Sequence, residues 1–260
     1  MKLEFFKMQA QGNDYIYFDC LNKAAFDINY SKLSHMISDR HFGIGADGIV
    51  LIEESDLYDA EIRIFNADGS EGKMCGSALR CVTSYLSKHI NKFEFQIKTK
   101  SGVHTGYVLN GEKDYIKVDL GIPEFIENDK IYISKFDGYL INIGNDHFVT
   151  FVENFPEDIA RKYGPKIQSD PRFPDSLNVD FVLVKDPENI EIRFWERGSE
   201  ETLACGSGTA AAVFAGIKRF GLANKVKVTV PGGNLEIELL DKNIYLSGQV
   251  DFVFSGSIEI

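Results

Sequence analysis

The chain has 260 residues, a formal net charge of −11 and four cysteines. That length allows two domains with their own cores, while the acidic balance argues against nucleic acid and anionic membrane surfaces, which recruit Lys and Arg. Four thiols are too few for a disulfide scaffold. Met1-Lys2-Leu3-Glu4 opens no apolar signal segment, and no apolar run reaches the roughly 18 residues a membrane span needs, so a cytoplasmic protein is expected.

The first alternating run, Leu3 to Met8, leads to Gly12-Asn13-Asp14-Tyr15. A helix is predicted over Tyr30 to Asp39, then strands at Asp47 to Ile52 and Ala60 to Phe65. Met74-Cys75-Gly76-Ser77 forms a turn, and Ala78 to Lys88 reads as a buried helix opened by small residues. Ile97 to Gly102 and Lys113 to Asp119 complete the first half. Ile122 to Phe136, opened by Pro123, reads as the linker. The series then restarts. Tyr139 to Ile143 leads to Gly144-Asn145-Asp146-His147, followed by a helix over Pro156 to Tyr163 and a strand at Asp180 to Val184. Ala204-Cys205-Gly206-Ser207 is the second cysteine turn, Gly208 to Gly221 its Ala- and Val-rich helix, and Lys227 to Gly232 a closing strand.

The two series are copies of each other. EIRIFNADGSEGKMCGSALRC, from Glu61 to Cys81, matches EIRFWERGSEETLACGSGTAA, from Glu191 to Ala211. An offset of 130 positions separates Cys75 from Cys205, as it separates Glu61 from Glu191. Asp47 to Ile52 also resembles Asp180 to Val184. A period this long marks a domain duplication rather than a solenoid. The expected fold is α+β: two pseudo-symmetric halves, each a curved mixed or antiparallel sheet wrapped around a central helix. The expected domains are 1–120, with Cys75, and 121–249, with Cys205. The last strand, 250–260, is expected to return to the first half.

Both cysteines sit where a turn meets a helix start. Unpaired N–H groups and the positive end of the helix dipole gather there. A thiolate is favoured in that setting, so both thiols are expected below the free value of roughly 8.5. Gly76, Ser77, Gly206 and Ser207 can aim N–H groups at a carboxylate, which acidifies the neighbouring Cα–H and holds the enolate-like charge that develops. Two such turns facing one cleft suit an enzyme that removes a proton from one face of a carbon and returns one to the other. Zinc is not expected, because Cys75 and Cys81 do not share a helix face and no C-x-x-C occurs. Cys20 and Cys81 have no repeat partners and read as structural.

Taken together, Gly12-Asn13-Asp14, Arg40 to Gly48, Phe65 to Glu71 before Met74-Cys75-Gly76, Gly144 to His147, Asn178 to Phe181, and Glu196-Arg197-Gly198 before Ala204 to Gly208 resemble the diaminopimelate epimerase family. The likeness covers essentially the whole chain. It implies a cofactor-independent epimerase that interconverts LL- and meso-diaminopimelate, a step in lysine and peptidoglycan precursor synthesis, and a homodimer. Cys75 and Cys205 match the acid/base thiols. Gly76, Ser77, Gly206 and Ser207 match the holders of the reacting carboxylate. Asn13, Asn66, Asn145, Asn178 and Arg197 match the substrate-binding set, in which Arg suits bidentate binding of a distal carboxylate. His147 and Glu196 match the groups that set thiol protonation. Arg197 stands where the first half has Ala67, a break in symmetry expected of a functional residue.

Three positions depart from the family pattern. Ser77 replaces Asn, Asp146 replaces Pro, and Gly48 stands where some relatives carry Gln. A carboxylate at Asp146 is expected to act on His147. Three rival readings keep the scaffold: a racemase for another amino acid such as proline or histidine, a non-catalytic thiol or redox protein, and an isomerase that uses a carboxylate rather than thiols. The distal set argues against the first and the paired cysteine turns against the third.

Overall fold

The computed structural model describes residues 1–21, 28–109, 111–112, 114–156, 158–174 and 177–260. The alternating N-terminal run becomes β1 (Lys2–Ala10), which turns at Gln11-Gly12 into β2 (Asn13–Cys20). Then come α1 (Tyr30–Ile37), β3 (Gly48–Glu53), β4 (Ala60–Asn66) and the short β5 (Glu71–Gly72). After Cys75 the chain enters α2 (Gly76–His89), followed by β6 (Glu94–Thr99), β7 (Gly102–Val108) and β8 (Tyr115–Asp119). Lys113, placed in that last strand by the alternation, lies outside the described residues.

Residues 122–136 are not a free linker. They hold β9 (Glu124–Phe125) and β10 (Ile131–Ile133), both paired to β11 (Phe136–Asn142). Ile133 is buried in an apolar cluster, which draws the segment onto its sheet. From β11 the pattern of the first half recurs: β12 (Asp146–Phe151), α3 (Ile159–Gln168), β13 (Asn178–Asp186), β14 (Asn189–Glu196), β15 (Glu200–Thr202), α4 (Gly206–Arg219), β16 (Lys225–Val230), β17 (Gly233–Leu240) and β18 (Asn243–Gln249). The last strand, β19 (Asp251–Glu259), pairs antiparallel with β1. Two compact units result, Met1–Val118 with Gly248–Ile260, and Asp119–Ser247.

Strand pairing repeats between the units. In the first, β2/β3 and β4/β6 are parallel and the other neighbours antiparallel. In the second, β12/β13 and β14/β16 are parallel and the rest antiparallel. Each parallel pair is joined through a helix, as parallel strands require. Helix α2 packs on β1, β2, β6 and β7, and α4 on β11, β12, β13 and β17, so each sheet wraps its own helix. On the other face, α1 buries Leu33 and Ile37 against Ile49, Leu51 and Phe65. Helix α3 buries Ile159 and Ile167 against Phe181 and Trp195.

Register corrects one repeat match. Tyr15 faces Gly48, and His147 faces Asn178, so Gly48 is equivalent to Asn178 and not to a residue beside Asp180. Asp180 takes the place of Val50. Helix bounds also shift. Both cysteine helices begin at the glycine right after the cysteine, because the cysteine itself is the extended N-cap. Helix α3 runs past the expected end at Tyr163 to Gln168 with Pro165 inside it. Helix α2 is buried but not apolar: Arg80, Thr83, Ser84 and Ser87 are all inside. Thr83 and Ser87 donate to the helix's own carbonyls, and Ser84 donates to Asp114. Gly106 of β7 admits that polar face, since a Cβ there would lie 2.0 Å from Thr83 Oγ1.

Candidate active site

In the first unit, Cys75 is a half-buried N-cap with φ −144° and ψ 120°. Its thiol donates to Asn13 Oδ1 at 3.4 Å. Asn13 is pinned by its amide, which donates to Asp47 Oδ2 at 2.8 Å. Asp47 also accepts from the Asp14 N–H, and Arg40 bonds both carboxylates. The Arg40 to Gly48 motif therefore builds the wall that holds Asn13. Its Gly43 leaves room for the Ile37 carbonyl, which a Cβ would approach to 2.5 Å. Burial and the Asp14 charge push the Asp47 carboxyl above its ordinary range. Burial pushes Asp14 up as well, but hydrogen bonds from Arg40 and Lys7 outweigh it and the net direction is down.

Ser77 is buried and turns its hydroxyl toward Arg80, which donates to it at 3.4 Å. Its N–H stays at the helix start, so the Ser-for-Asn departure leaves that donor in place. Asn66 closes β4 and donates to Ser70 Oγ at 3.0 Å. Gly48 admits no larger residue on this backbone: a Cβ would sit 2.1 Å from the Phe65 carbonyl oxygen.

In the second unit, Cys205 is a buried N-cap with φ −129° and ψ 112°. Its sulfur accepts from Gly208 N–H at 3.4 Å and lies 3.5 Å from Ser207 Oγ. The expectation of a lowered thiol fails here. Burial raises the Cys205 thiol well above its ordinary value, and the Glu196 and Asp180 charges add to that. Desolvation and two carboxylates outweigh the helix end. Burial likewise pushes the Glu196 carboxyl up, against hydrogen bonds from Thr202 and Cys205.

His147 on β12 and Asp180 on β13 are each 0 % exposed, with Nδ1 and Oδ2 2.8 Å apart. His147 Nε2 lies 3.0 Å from Ser207 Oγ and 3.2 Å from Asn145 Oδ1. Asp146 does not meet His147, contrary to the expectation. Neighbours on a strand point to opposite faces, and Asp146 is exposed, accepting from Asn142 at 2.6 Å. Asn178 is buried; it donates to the Asp146 carbonyl and accepts from the Arg197 N–H at 3.0 Å. The Arg197 side chain is exposed at the tip after β14.

Within the second unit the fold thus gathers Cys205, Ser207, His147, Asn145, Glu196 and Asn178, with Arg197 attached through its backbone. Within the first it gathers Cys75, Asn13, Gly76 and Ser77, with Asn66 at the end of the adjoining strand. Asp180, Arg80 and Asp47 were missed as site residues. Asp180 carried a readable signal, a carboxylate on the same strand face as Asn178 within an otherwise apolar run.

The family model described as diaminopimelate epimerase matches residues 5–126 and 139–253. A diaminopimelate epimerase of Halothermothrix orenii is 38% identical, with 100% of this chain and 99% of that protein covered. One from Caldanaerobacter subterraneus subsp. tengcongensis is 39% identical, covering 99% of this chain and 100% of that protein. The chain belongs to the diaminopimelate epimerase family.

Solved structures share the fold at low identity. A phenazine biosynthesis protein of the PhzF family from Bacillus anthracis matches with a TM-score of 0.75 at 14% identity over 100% of both chains. A hydroxyproline epimerase from Agrobacterium vitis matches at 0.70 and 13%, covering 99% of this chain and 91% of that one. These relationships and the repeated pairing of strands make the fold α+β, two units of one topology in the diaminopimelate epimerase class.

Proposed function

We propose that this chain epimerises LL-2,6-diaminopimelate to meso-diaminopimelate without a cofactor, with Cys75 and Cys205 as the acid/base pair. The observation that carries the reading is the cysteine turn built twice. Each unit caps its buried helix with a cysteine and leaves the next two N–H groups at the helix start. The full-length family match supplies the substrate.

The proton balance is simple. A thiolate takes the α-proton, and the electrons pass into the carboxylate to give an enolate-like species. The second thiol of the pair then protonates the opposite face of the same carbon. The N–H groups of Gly76, Ser77, Gly206 and Ser207 favour the charge as it grows. Asn13, Asn66, Asn145, Asn178 and Arg197 hold the amino-acid ends, Arg197 taking the distal carboxylate. His147 and Glu196 control the proton on the thiols. The product feeds lysine and peptidoglycan precursor synthesis in the cytoplasm.

The working form is a homodimer. Strand β19 pairs with β1, is exposed along nearly all its length, and carries exposed Phe252, Val253 and Phe254. An uncovered apolar edge strand is a surface for a second chain.

Proton NMR of the reduced protein with LL-diaminopimelate in D₂O tests the reaction. Loss of the α-proton signal with appearance of the meso isomer is expected. Exchange with proline but not with diaminopimelate overturns the substrate assignment.

A further inference from the structure

The Asn13 side chain turns its two ends in different directions. Its Nδ2 donates to Asp47 Oδ2 at 2.8 Å, and its Oδ1 accepts from the Cys75 thiol at 3.4 Å. An amide has nearly the same shape either way round, so its partners decide which end faces where. Asp47 decides here. The same Oδ2 accepts from the Asp14 N–H at 3.1 Å, and Oδ1 accepts from Arg40 Nη2 at 2.9 Å. Both oxygens of Asp47 are thus met by donors, and an ionised carboxylate has no hydrogen to give. Only the NH₂ end of Asn13 fits against it, which leaves the oxygen end for the sulfur. Asp47 is itself tied down: its N–H donates to the Asp14 carbonyl at 2.8 Å, and its own carbonyl accepts from the Ala67 N–H at 2.9 Å.

The arrangement sets like charges side by side. The Asp14 charge adds to burial in pushing the Asp47 carboxyl up. Arg40 bridges the two carboxylates, and Lys7 pairs with Asp14 at 2.7 Å. The fold does not require this cluster. Tyr15 faces Gly48 and His147 faces Asn178, so Leu177, buried in an apolar cluster, stands where the first unit has Asp47. The turn asparagine of that second unit, Asn145, has its Oδ1 3.2 Å from His147 Nε2 instead. The carboxylate is present in the unit whose turn asparagine presents its oxygen to a thiol.

We propose that Asp47, clamped by Arg40, is the positioning residue that fixes the Asn13 amide and thereby the hydrogen bond of Cys75. An amide oxygen facing the sulfur accepts from S–H and disfavours a thiolate, whereas an NH₂ group there does the reverse. Asp47 therefore favours the protonated form of Cys75 in the protein without substrate. Its role in turnover rests on the two-thiol reading above; the orientation of Asn13 does not.

Alkylation of Cys75 against pH, read by peptide mass spectrometry, tests this without substrate. In Asp47→Ala the amide is released, the midpoint moves to lower pH, and alkylation at neutral pH runs about three- to tenfold faster, the worth of one ordinary hydrogen bond. The rate at the high-pH plateau stays at the wild-type value, which separates a proton effect from a loosened fold. Asn13→Ala moves the midpoint the same way. In the double variant, Asp47→Ala adds nothing to Asn13→Ala, because Asp47 acts through the amide. A further shift in the double variant makes Asp47 a bare charge and overturns the proposal, as does an unmoved midpoint in Asp47→Ala. Turnover follows the same cycle: Asp47→Ala lowers kcat/KM about tenfold, and has no effect in the Asn13→Ala background. Circular dichroism checks the fold of each variant. Should Asp47→Ala not fold, NMR of wild-type protein decides. The Asn13 NH₂ signals, assigned by their loss in Asn13→Ala, show no cross-relaxation with the Cys75 β-protons; strong cross-relaxation there overturns the orientation. If wild-type protein fails to turn over diaminopimelate, the substrate reading falls, while the alkylation and NMR results still decide the role of Asp47.

Discussion

Replacing Arg80 with Met separates structural from electrostatic need. Arg80 is 0 % exposed in the middle of α2 and its partners are neutral. It donates to Gln11 Oε1 at 2.7 Å, to the Gly76 carbonyl at 3.3 Å and to Ser77 Oγ at 3.4 Å. Only the first is short; it is worth about 1.5–3 kcal/mol as a charge-assisted bond, and the other two are near the limit of bonding. Against this stands the desolvation of a guanidinium among neutral partners, which costs several kcal/mol, while removing it leaves Gln11 Oε1 without that donor at about 1–3 kcal/mol, so an apolar residue of similar length is neutral or mildly stabilising. Arg80→Met is therefore expected to unfold in urea at or above the wild-type midpoint, by far-ultraviolet circular dichroism. The guanidinium lies close enough to Cys75 and Cys81 for a charge on either thiol to be felt. Cys81 is pushed by burial up to about 12 and stays neutral, so Cys75 is the neighbour on which the guanidinium can act. Alkylation of Cys75 at neutral pH should slow in the Met variant while stability holds. A loss of 3 kcal/mol or so, with Cys75 reactivity unchanged, would refute the reasoning and make Arg80 a structural fastener.

Cys75→Ser and Cys205→Ser should each abolish net epimerisation in the D₂O assay while leaving the circular dichroism spectrum intact; near-wild-type turnover in either contradicts the two-thiol mechanism. Burial raises the folded Glu196 carboxyl, so its stabilising contribution is full below the ordinary carboxylate range and is lost as pH rises from about 4 through the raised value. Glu196→Gln removes that dependence, and its urea midpoint, followed by the fluorescence of the single Trp195 in the same unit, should fall less than wild type over that rise. Gly48→Gln should lower the unfolding midpoint, because its Cβ meets the Phe65 carbonyl at 2.1 Å; a wild-type melting temperature would show that β3 yields at little cost.

Much of the site was legible because chemistry and repeat coincide in the sequence. The paired Cys-Gly-Ser turns, the two Gly-Asn-Asp turns and the alternating strands around them are local signals, set by turn residues and by period-2 burial. They suffice for two like units with one cysteine helix each. The Arg197 position was marked by what breaks the repeat. Three things depended on distant segments meeting. The segment 122–136 has weak local preference and is ordered by pairing with β11. Which carboxylate reaches His147 is decided by β12 lying parallel to β13, which brings in Asp180 while the pleat turns the adjacent Asp146 to solvent. The direction of the Cys205 shift was misread because a helix end is visible in sequence, whereas burial and the approach of Glu196 and Asp180 are not. Sequence alone determined which groups are the candidates for the chemistry, the paired cysteine turns foremost. Tertiary structure decided their protonation, since a charge is set by the water it loses and the charges it meets, and both depend on residues far apart along the chain.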